Sequence, residues 1–120
     1  MRILQRPELA PLTTLGLGGR ALAEIRLDAP DDCERLSETL SRTGGFVRVL
    51  GGGSNLLVHD GDLPFVVLRP LFGAADADGH AQDPVIVGEE DGTDGQRVLI
   101  RAGAGMRVPH LLSWCARHDL

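Results

Sequence analysis

The chain has 120 residues, which is enough for one domain at most, and a formal net charge of −5 with no lysine. This acidic balance and the scattered arginines argue against a nucleic-acid-binding surface, and no segment approaches the roughly 18 consecutive apolar residues of a membrane span. The four histidines and two cysteines lack metal-ligand spacing, so no metal site is predicted, and without a signal-peptide pattern the cytoplasm is the expected location.

The first strand and the first helix are predicted in the segment 21–45. Residues 21–27 alternate between apolar and polar side chains, which indicates a strand that Pro30 ends. A helix is predicted to begin at Asp31, because its carboxylate can cap the helix while Glu34 occupies the capping-box position. The glycine pair 44–45 ends this helix. Its buried stripe is predicted to consist of Cys33, Leu36 and Leu40.

Three further strands are predicted over residues 46–50, 56–58 and 65–68, with a glycine-rich loop after the first of them. Strand, helix, strand and loop follow one another in the order of a βαβ-like unit. Residues 73–96 are rich in Gly, Asp, Ala and Glu around one apolar island at 85–87. They predict a solvated excursion with one short strand and with disorder at its tip.

Residues 97–102 predict a last strand, and a helix follows it to the end of the chain. Cys115 in this helix, like Cys33, is expected to be an unreactive core residue. Because no glycine or asparagine closes the helix, we expect the chain to be a fragment of a longer protein. The apolar face of the helix is predicted to comprise Val108, Leu111, Leu112 and Cys115.

The most informative segment is the glycine-rich loop, which reads VLGGGSNLLV over residues 49–58. Consecutive glycines let backbone N–H groups converge on an anion, and Ser54 and Asn55 add neutral donors. A lysine-based phosphate loop is excluded, because the chain contains no lysine. This loop therefore predicts a phosphate site, with an ordinary tight turn between two strands as the alternative.

Two other segments are rich in glycine. GLGGRA at residues 16–21 fits a relaxed dinucleotide-binding pattern, but it precedes a strand where that pattern must follow one. GAGMRV at residues 103–108 has valine where close helix packing requires glycine or alanine. Its glycines are expected to let the backbone pass close to a ligand or to a neighbouring strand. All three glycine-rich turns can lie on one rim and contact a ligand as long as a dinucleotide.

The order and spacing of three motifs resemble the UDP-N-acetylenolpyruvoylglucosamine reductases, the flavoenzymes of bacterial peptidoglycan synthesis. The motifs are TLGLGGRA at residues 14–21, VLGGGSNLLV at residues 49–58 and AGAG at residues 102–105. The second motif matches without exception. The first departs from the family pattern, which usually has Asn-Thr-Phe where this chain has Thr13, Thr14 and Leu15.

This resemblance implies that residues 1–120 are the N-terminal portion of an FAD-binding domain of the vanillyl-alcohol-oxidase type, an α+β fold with a mixed sheet. In the family the glycine loop holds the FAD pyrophosphate, NADPH reduces the flavin, and hydride passes to the enolpyruvyl group of the UDP-sugar. The matching positions are cofactor-binding ones: Gly51, Gly52, Gly53, Ser54, Asn55, Leu56, Gly103 and Gly105.

No catalytic residue is expected within this chain, because the catalytic residues and the substrate domain of the family lie beyond position 120. The chain alone is therefore predicted to be inactive. Two alternatives stay open: the FAD-binding part of another flavin oxidoreductase of the same superfamily, and a non-catalytic nucleotide-binding module. Exposed strand edges in a partial domain also predict self-association.

Overall fold

The computed structural model describes residues 1–74, 82–92 and 95–120. The chain divides into two compact units, Met1–Leu71 and Phe72–Leu120. Helices and strands are both present, which confirms an α+β chain. Of the helices in the described ranges, none is long and apolar enough to cross a bilayer.

The first unit is built on a mixed four-stranded sheet in the order β1-β2-β4-β3, as predicted for the sheet type. β2 pairs antiparallel with β1 and parallel with β4, and β3 pairs parallel with β4. Strand β1 has no counterpart in the sequence analysis. The strands are β1 (Arg2–Gln5), β2 (Arg20–Leu27), β3 (Phe46–Val49) and β4 (Asp62–Pro70).

The connection between β3 and β4 decides what the glycine-rich loop can be. Neighbouring parallel strands cannot be joined by a hairpin turn, because the chain must return along the sheet before the second strand begins. Residues 50–61 make this return. The alternative of a tight turn is therefore wrong, and so is the predicted strand at 56–58, which lies within the return and pairs with no strand among the described residues.

Apolar side chains pack on both faces of this sheet. A register shift between Ala21 and Ala23 brings Ala21 and Glu24 to the same face of the sheet. Their register partners on β4, Leu63 and Val67, lie on that face as well. The core on this face comprises Leu9, Ala21, Leu50, Val58 and Val67. The buried residues of the opposite face are Ala23, Ile25, Leu27 and Val66.

The first helical segment differs from its prediction. It begins as a 3-10 helix over Pro30–Cys33, and the α-helix α1 spans only Leu36–Thr43. Its N-cap residue is Ala29, not Asp31, and the Oδ2 atom of Asp32 accepts hydrogen bonds from the N–H groups of Asp28 and Ala29, at 2.8 and 3.1 Å. A hydrogen bond from the Met1 ammonium group and these two backbone donors lower the pKa of Asp32 to about 2.

The change of helix type explains where the predicted stripe fails. A 3-10 helix turns every three residues, so Cys33 does not continue the apolar face of α1. Leu36 and Leu40 are half-buried as the pattern indicated, whereas Cys33 is exposed and the expectation of a core thiol there is wrong.

The second unit contains an antiparallel strand pair and a helix. Strand β5 (Val85–Gly92) pairs with β6 (Gly95–Arg101). β5 is longer than the short strand predicted at 85–87. The disorder predicted for the tip of this excursion concerns residues that include 75–81 and 93–94, which lie outside the described residues.

The buried face of helix α2 (Val108–Arg117) coincides only in part with the predicted one, since Leu111 is half-buried whereas the most buried residue is Trp114. Trp114 is 5% exposed and stacks on His118 with 4.2 Å between ring centroids, because its ring offers the largest apolar surface of the helix. Val108 and Leu112 are 66% and 63% exposed, so their predicted burial is wrong. Cys115 is only half-buried, contrary to its prediction as a core residue.

A buried carboxylate connects β2 and β4. Glu24 is 1% exposed, and its Oε1 atom accepts hydrogen bonds from Arg26 Nε at 2.7 Å and from Arg69 Nη1 at 3.0 Å. Burial raises the pKa of Glu24, but the hydrogen bonds and charges of the two arginines outweigh this effect and lower the pKa below its usual value. The ionised carboxylate therefore stabilises the folded sheet.

Replacing this carboxylate should destabilise the chain in a pH-dependent way. Glu24→Gln is expected to lower the free energy of unfolding at pH 7 by about 2–3 kcal/mol, because it leaves two half-buried arginines without their anion. Since the folded pKa is depressed, this contribution is present above the unfolded pKa, near 4.5, and is lost as pH falls through the folded value. Urea unfolding at a series of pH values measures it.

The matched control is Glu34→Gln, at an exposed glutamate of the same charge. It should change the free energy of unfolding by less than about 0.5 kcal/mol. A loss in Glu24→Gln that stays the same at pH 7 and pH 3 would contradict the electrostatic explanation.

Candidate functional site

A cleft of about 530 Å³ lies in the first unit along the β3–β4 return. Its volume falls within the range of about 300–1,000 Å³ that is typical of small-molecule sites. The predicted loop residues 51–56 all line it. The walls are mostly apolar and include Leu50, Leu57, Val58, Leu63, Phe65 and Val67.

The loop is held at both ends by buried side chains. Leu50 continues the parallel register of β3, with its N–H donating to the carbonyl of Leu68 at 2.9 Å, and its side chain enters the core. Val58 enters the same core from the other end of the loop. The backbone between them leaves the sheet, so most of residues 51–57 stay exposed.

The three glycines of the loop meet different structural demands. Gly53 has a φ of +68°, is buried, and a Cβ atom there would collide with the carbonyl of Leu12. Gly51 and Gly52 have no positive φ, and nothing lies within 4 Å of the position that a Cβ atom would occupy. The fold therefore requires glycine at 53 only. Gly51 and Gly52 leave a cradle that side chains would fill.

The hydrogen-bond donors of the loop, unlike the carbonyl of Gly53, have no partner in the described part of the chain. Within the described residues, no hydrogen bond is donated by a backbone N–H of residues 51–58, nor by the side chains of Ser54 and Asn55. Backbone N–H groups in folded proteins generally find an acceptor, in the protein, in water or in a ligand. Successive N–H groups in such a loop form a concave site for an anion.

The first glycine-rich motif braces this loop. Gly19 N–H donates to the carbonyl of His59 at 3.0 Å, and Arg20 N–H donates to the carbonyl of Gly61 at 2.8 Å. Thr14 N–H donates to the carbonyl of Gly53 at 3.1 Å. The structure thus brings the first and second motifs together through these backbone hydrogen bonds.

Gly103 and Gly105 lie in the second unit, where they contact the backbone of Phe72 and Gly73. A Cβ atom on Gly103 would lie 2.9 Å from the Phe72 carbonyl oxygen and 3.0 Å from the Gly73 carbonyl carbon. Gly105 N–H donates to the same Phe72 carbonyl at 2.9 Å. This close approach accounts for glycine at 103. Cofactor binding by Gly103 and Gly105 stays a prediction.

Two ionisable side chains also line the cleft, and sequence reasoning missed both. His59 contacts the carbonyl of Asp60 through its Nδ1 atom. Arg48 is exposed on β3, two residues before Leu50. Because alternate residues of a strand share a face, this spacing is the signal that could have found Arg48. Among the described residues, no three His, Cys, Asp or Glu side chains form a metal-binding group.

Comparison with known proteins identifies the family. The chain is 44% identical over 121 residues to the UDP-N-acetylenolpyruvoylglucosamine reductase of Oleidesulfovibrio alaskensis, covering 98% of the chain and 36% of the relative. It is 42% identical over 120 residues to the enzyme of the same name from Nitratidesulfovibrio vulgaris, covering the whole chain and 36% of the relative. The chain belongs to the UDP-N-acetylenolpyruvoylglucosamine reductase family.

A solved structure agrees with this assignment. The crystal structure of UDP-N-acetylenolpyruvylglucosamine reductase from Thermus caldophilus matches with a TM-score of 0.60 and 30% identity, over 98% of this chain and 34% of that one. No protein-family model matches the chain. The resemblance drawn from the three motifs is thus confirmed. The chain spans about a third of the length of the reductases that it matches.

Alanine substitutions should separate the two kinds of glycine in the loop. Gly53→Ala is expected to lower the free energy of unfolding by about 2 kcal/mol or more, because alanine at positive φ is strained and its methyl group meets the Leu12 carbonyl. Gly52→Ala should leave it within about 0.5 kcal/mol, since its methyl group enters open space. Urea unfolding measures both, and equal losses would contradict the assignment.

Proposed function

We propose that the chain is the FAD-binding portion of a UDP-N-acetylenolpyruvoylglucosamine reductase, with an FAD-binding fold of the vanillyl-alcohol-oxidase type. Residues 51–56 hold the FAD diphosphate in this proposal. In the whole protein, NADPH is the reductant and the enolpyruvyl UDP-sugar is the substrate. The cytoplasm is the proposed location, and Gly103 and Gly105 are proposed to contact the same cofactor.

The open cradle at Gly51 and Gly52 is the observation that carries this proposal. A Cβ atom at either position meets nothing within 4 Å, so folding alone does not account for two glycines there. A ligand that approaches the backbone closely does account for them. The available N–H groups of the loop match the oxygen acceptors of a diphosphate.

In this proposal the residues of the chain bind and orient the cofactor. The N–H groups of residues 51–56 donate to phosphate oxygens, and the hydroxyl of Ser54 and the amide of Asn55 extend the donor set. The apolar wall at Leu50 and Phe65 excludes water from part of the bound molecule. FAD supplies the hydride chemistry when it is bound. We assign no proton-transfer role to any residue of this chain.

Titration of the purified chain with FAD, followed by quenching of flavin fluorescence, tests the site. We expect saturable binding that Gly52→Asp weakens by at least about 100-fold, because a carboxylate would occupy the cradle and repel the phosphates. Asn55→Ala should weaken binding by only about three- to tenfold, the effect of one neutral hydrogen bond. Binding that Gly52→Asp leaves unchanged would contradict the site.

Ser37→Asp is the matched control, since it adds the same charge at an exposed position in the first turn of α1. It should bind FAD as the unsubstituted chain does. With FAD bound, the chain alone should not oxidise NADPH in response to the enolpyruvyl substrate. Turnover would contradict the proposal that this chain supplies only the cofactor site and none of the catalytic residues.

Self-association of the chain belongs to the same proposal. β3 forms an edge of the first sheet, and its Phe46 and Val49 side chains are each 69% exposed. An exposed apolar edge pairs readily with a second copy, and lysine on an edge strand opposes such pairing. Light scattering should give a mass that rises with concentration and falls in Val49→Lys. A constant monomer mass would contradict this expectation.

A further inference from the structure

We propose that Arg48 is a phosphate-binding residue of the cleft, supplying the positive charge that the glycine loop itself lacks. This inference rests on the proposed function, because it concerns the diphosphate held at residues 51–56. It adds a residue outside the three motifs, on the strand that precedes the loop.

The charge balance of the chain creates a need for such a residue. The chain carries a net charge of −5 and contains no lysine, so its overall field opposes the approach of a dianionic diphosphate. The loop offers neutral donors only, namely backbone N–H groups, a hydroxyl and an amide. A hydrogen bond from a charged donor to phosphate is roughly twice as strong as one from a neutral donor.

The position of Arg48 suits this role. Arg48 pairs with Val67 in the β3–β4 register, and Val67 lines the cleft. Leu50 continues the register of β3 directly after the strand ends, so strand alternation directs the side chains of Arg48 and Leu50 to the face on which Val67 lies. Arg48 therefore lines the same cleft as Gly51 and Gly52.

The guanidinium group of Arg48 also retains its donors. Its one hydrogen bond among the described residues is a long one of 3.4 Å, from Nη1 to the carbonyl of Val47, and no ion pair involves Arg48 within that part of the chain. Planar guanidinium groups bind phosphate oxygens through two parallel N–H donors. By contrast, each of five other arginines of the first unit forms an ion pair with a carboxylate, namely Arg2, Arg6, Arg20, Arg26 and Arg69.

Titrations of FAD at two ionic strengths test the inference. Arg48→Gln is expected to weaken FAD binding by about tenfold at an ionic strength of about 0.02 M and by about two- to threefold at 0.5 M, because salt screens an exposed charge. Arg48→Lys should retain most of the affinity, since it keeps the charge. Arg35→Gln, at an exposed arginine outside the cleft, should bind as the unsubstituted chain does.

Each outcome decides between explanations. Equal affinity in Arg48→Gln and the unsubstituted chain overturns the role of Arg48 and leaves the proposed function standing. A loss that does not change with salt, or that Arg48→Lys fails to restore, shows a packing role and likewise overturns the inference. Absence of FAD binding by the unsubstituted chain overturns the proposed function and this inference with it.

Discussion

The parallel pairing of β3 with β4 is the constraint on which the candidate site depends. Because the two neighbouring strands have the same direction, the chain between them must return along the sheet, and residues 50–61 form this connection. A segment that runs outside the sheet cannot give its N–H groups to the ladder. Anchored at Leu50 and Val58, the segment is held above the sheet face, and the space beneath becomes the cleft.

In the first unit, the charged groups that stabilise the fold are different from those that line the cleft. Both arginines around Glu24 are held in ion pairs with this one carboxylate where the sheet is buried, so these groups stabilise the fold. The cleft instead presents neutral dipoles and the guanidinium group of Arg48. Neutral dipoles and a guanidinium group attract an anion at short range even where the net charge of a protein is negative.

Local patterns predicted well what local interactions determine. The strands at 21–27 and 46–50 agree with β2 and β3 within a residue at each end, because their apolar runs are bounded by glycine or proline. The loop residues 51–56 were predicted as one group because consecutive glycines have a specific backbone consequence, and all of them line one cleft. Cofactor binding by these residues stays a prediction. Strand β1 escaped notice because its order comes from antiparallel pairing with distant residues of β2.

The remaining errors have the same origin in long-range packing. The apolar run at 56–58 has a strand pattern, yet its residues line the cleft and anchor the loop. Cys33 fitted the helical stripe only for a continuous α-helix, and Trp114 outcompeted Val108 and Leu112 for burial because of its larger ring. Arg48 belongs to no motif, and its two-residue spacing from Leu50 indicates a place in the cleft only once the pairing of β3 with β4 is known.

The contact between Gly73 and Gly103 has a consequence for how this sequence can vary. Each glycine lies where the backbone of the other leaves no room for a side chain. In most tightly packed pairs a larger residue on one side is tolerated when the other side becomes smaller. Here both residues are already the smallest possible, so no compensating substitution exists at either position. A larger residue at either position could therefore be accommodated only if the backbone itself moved.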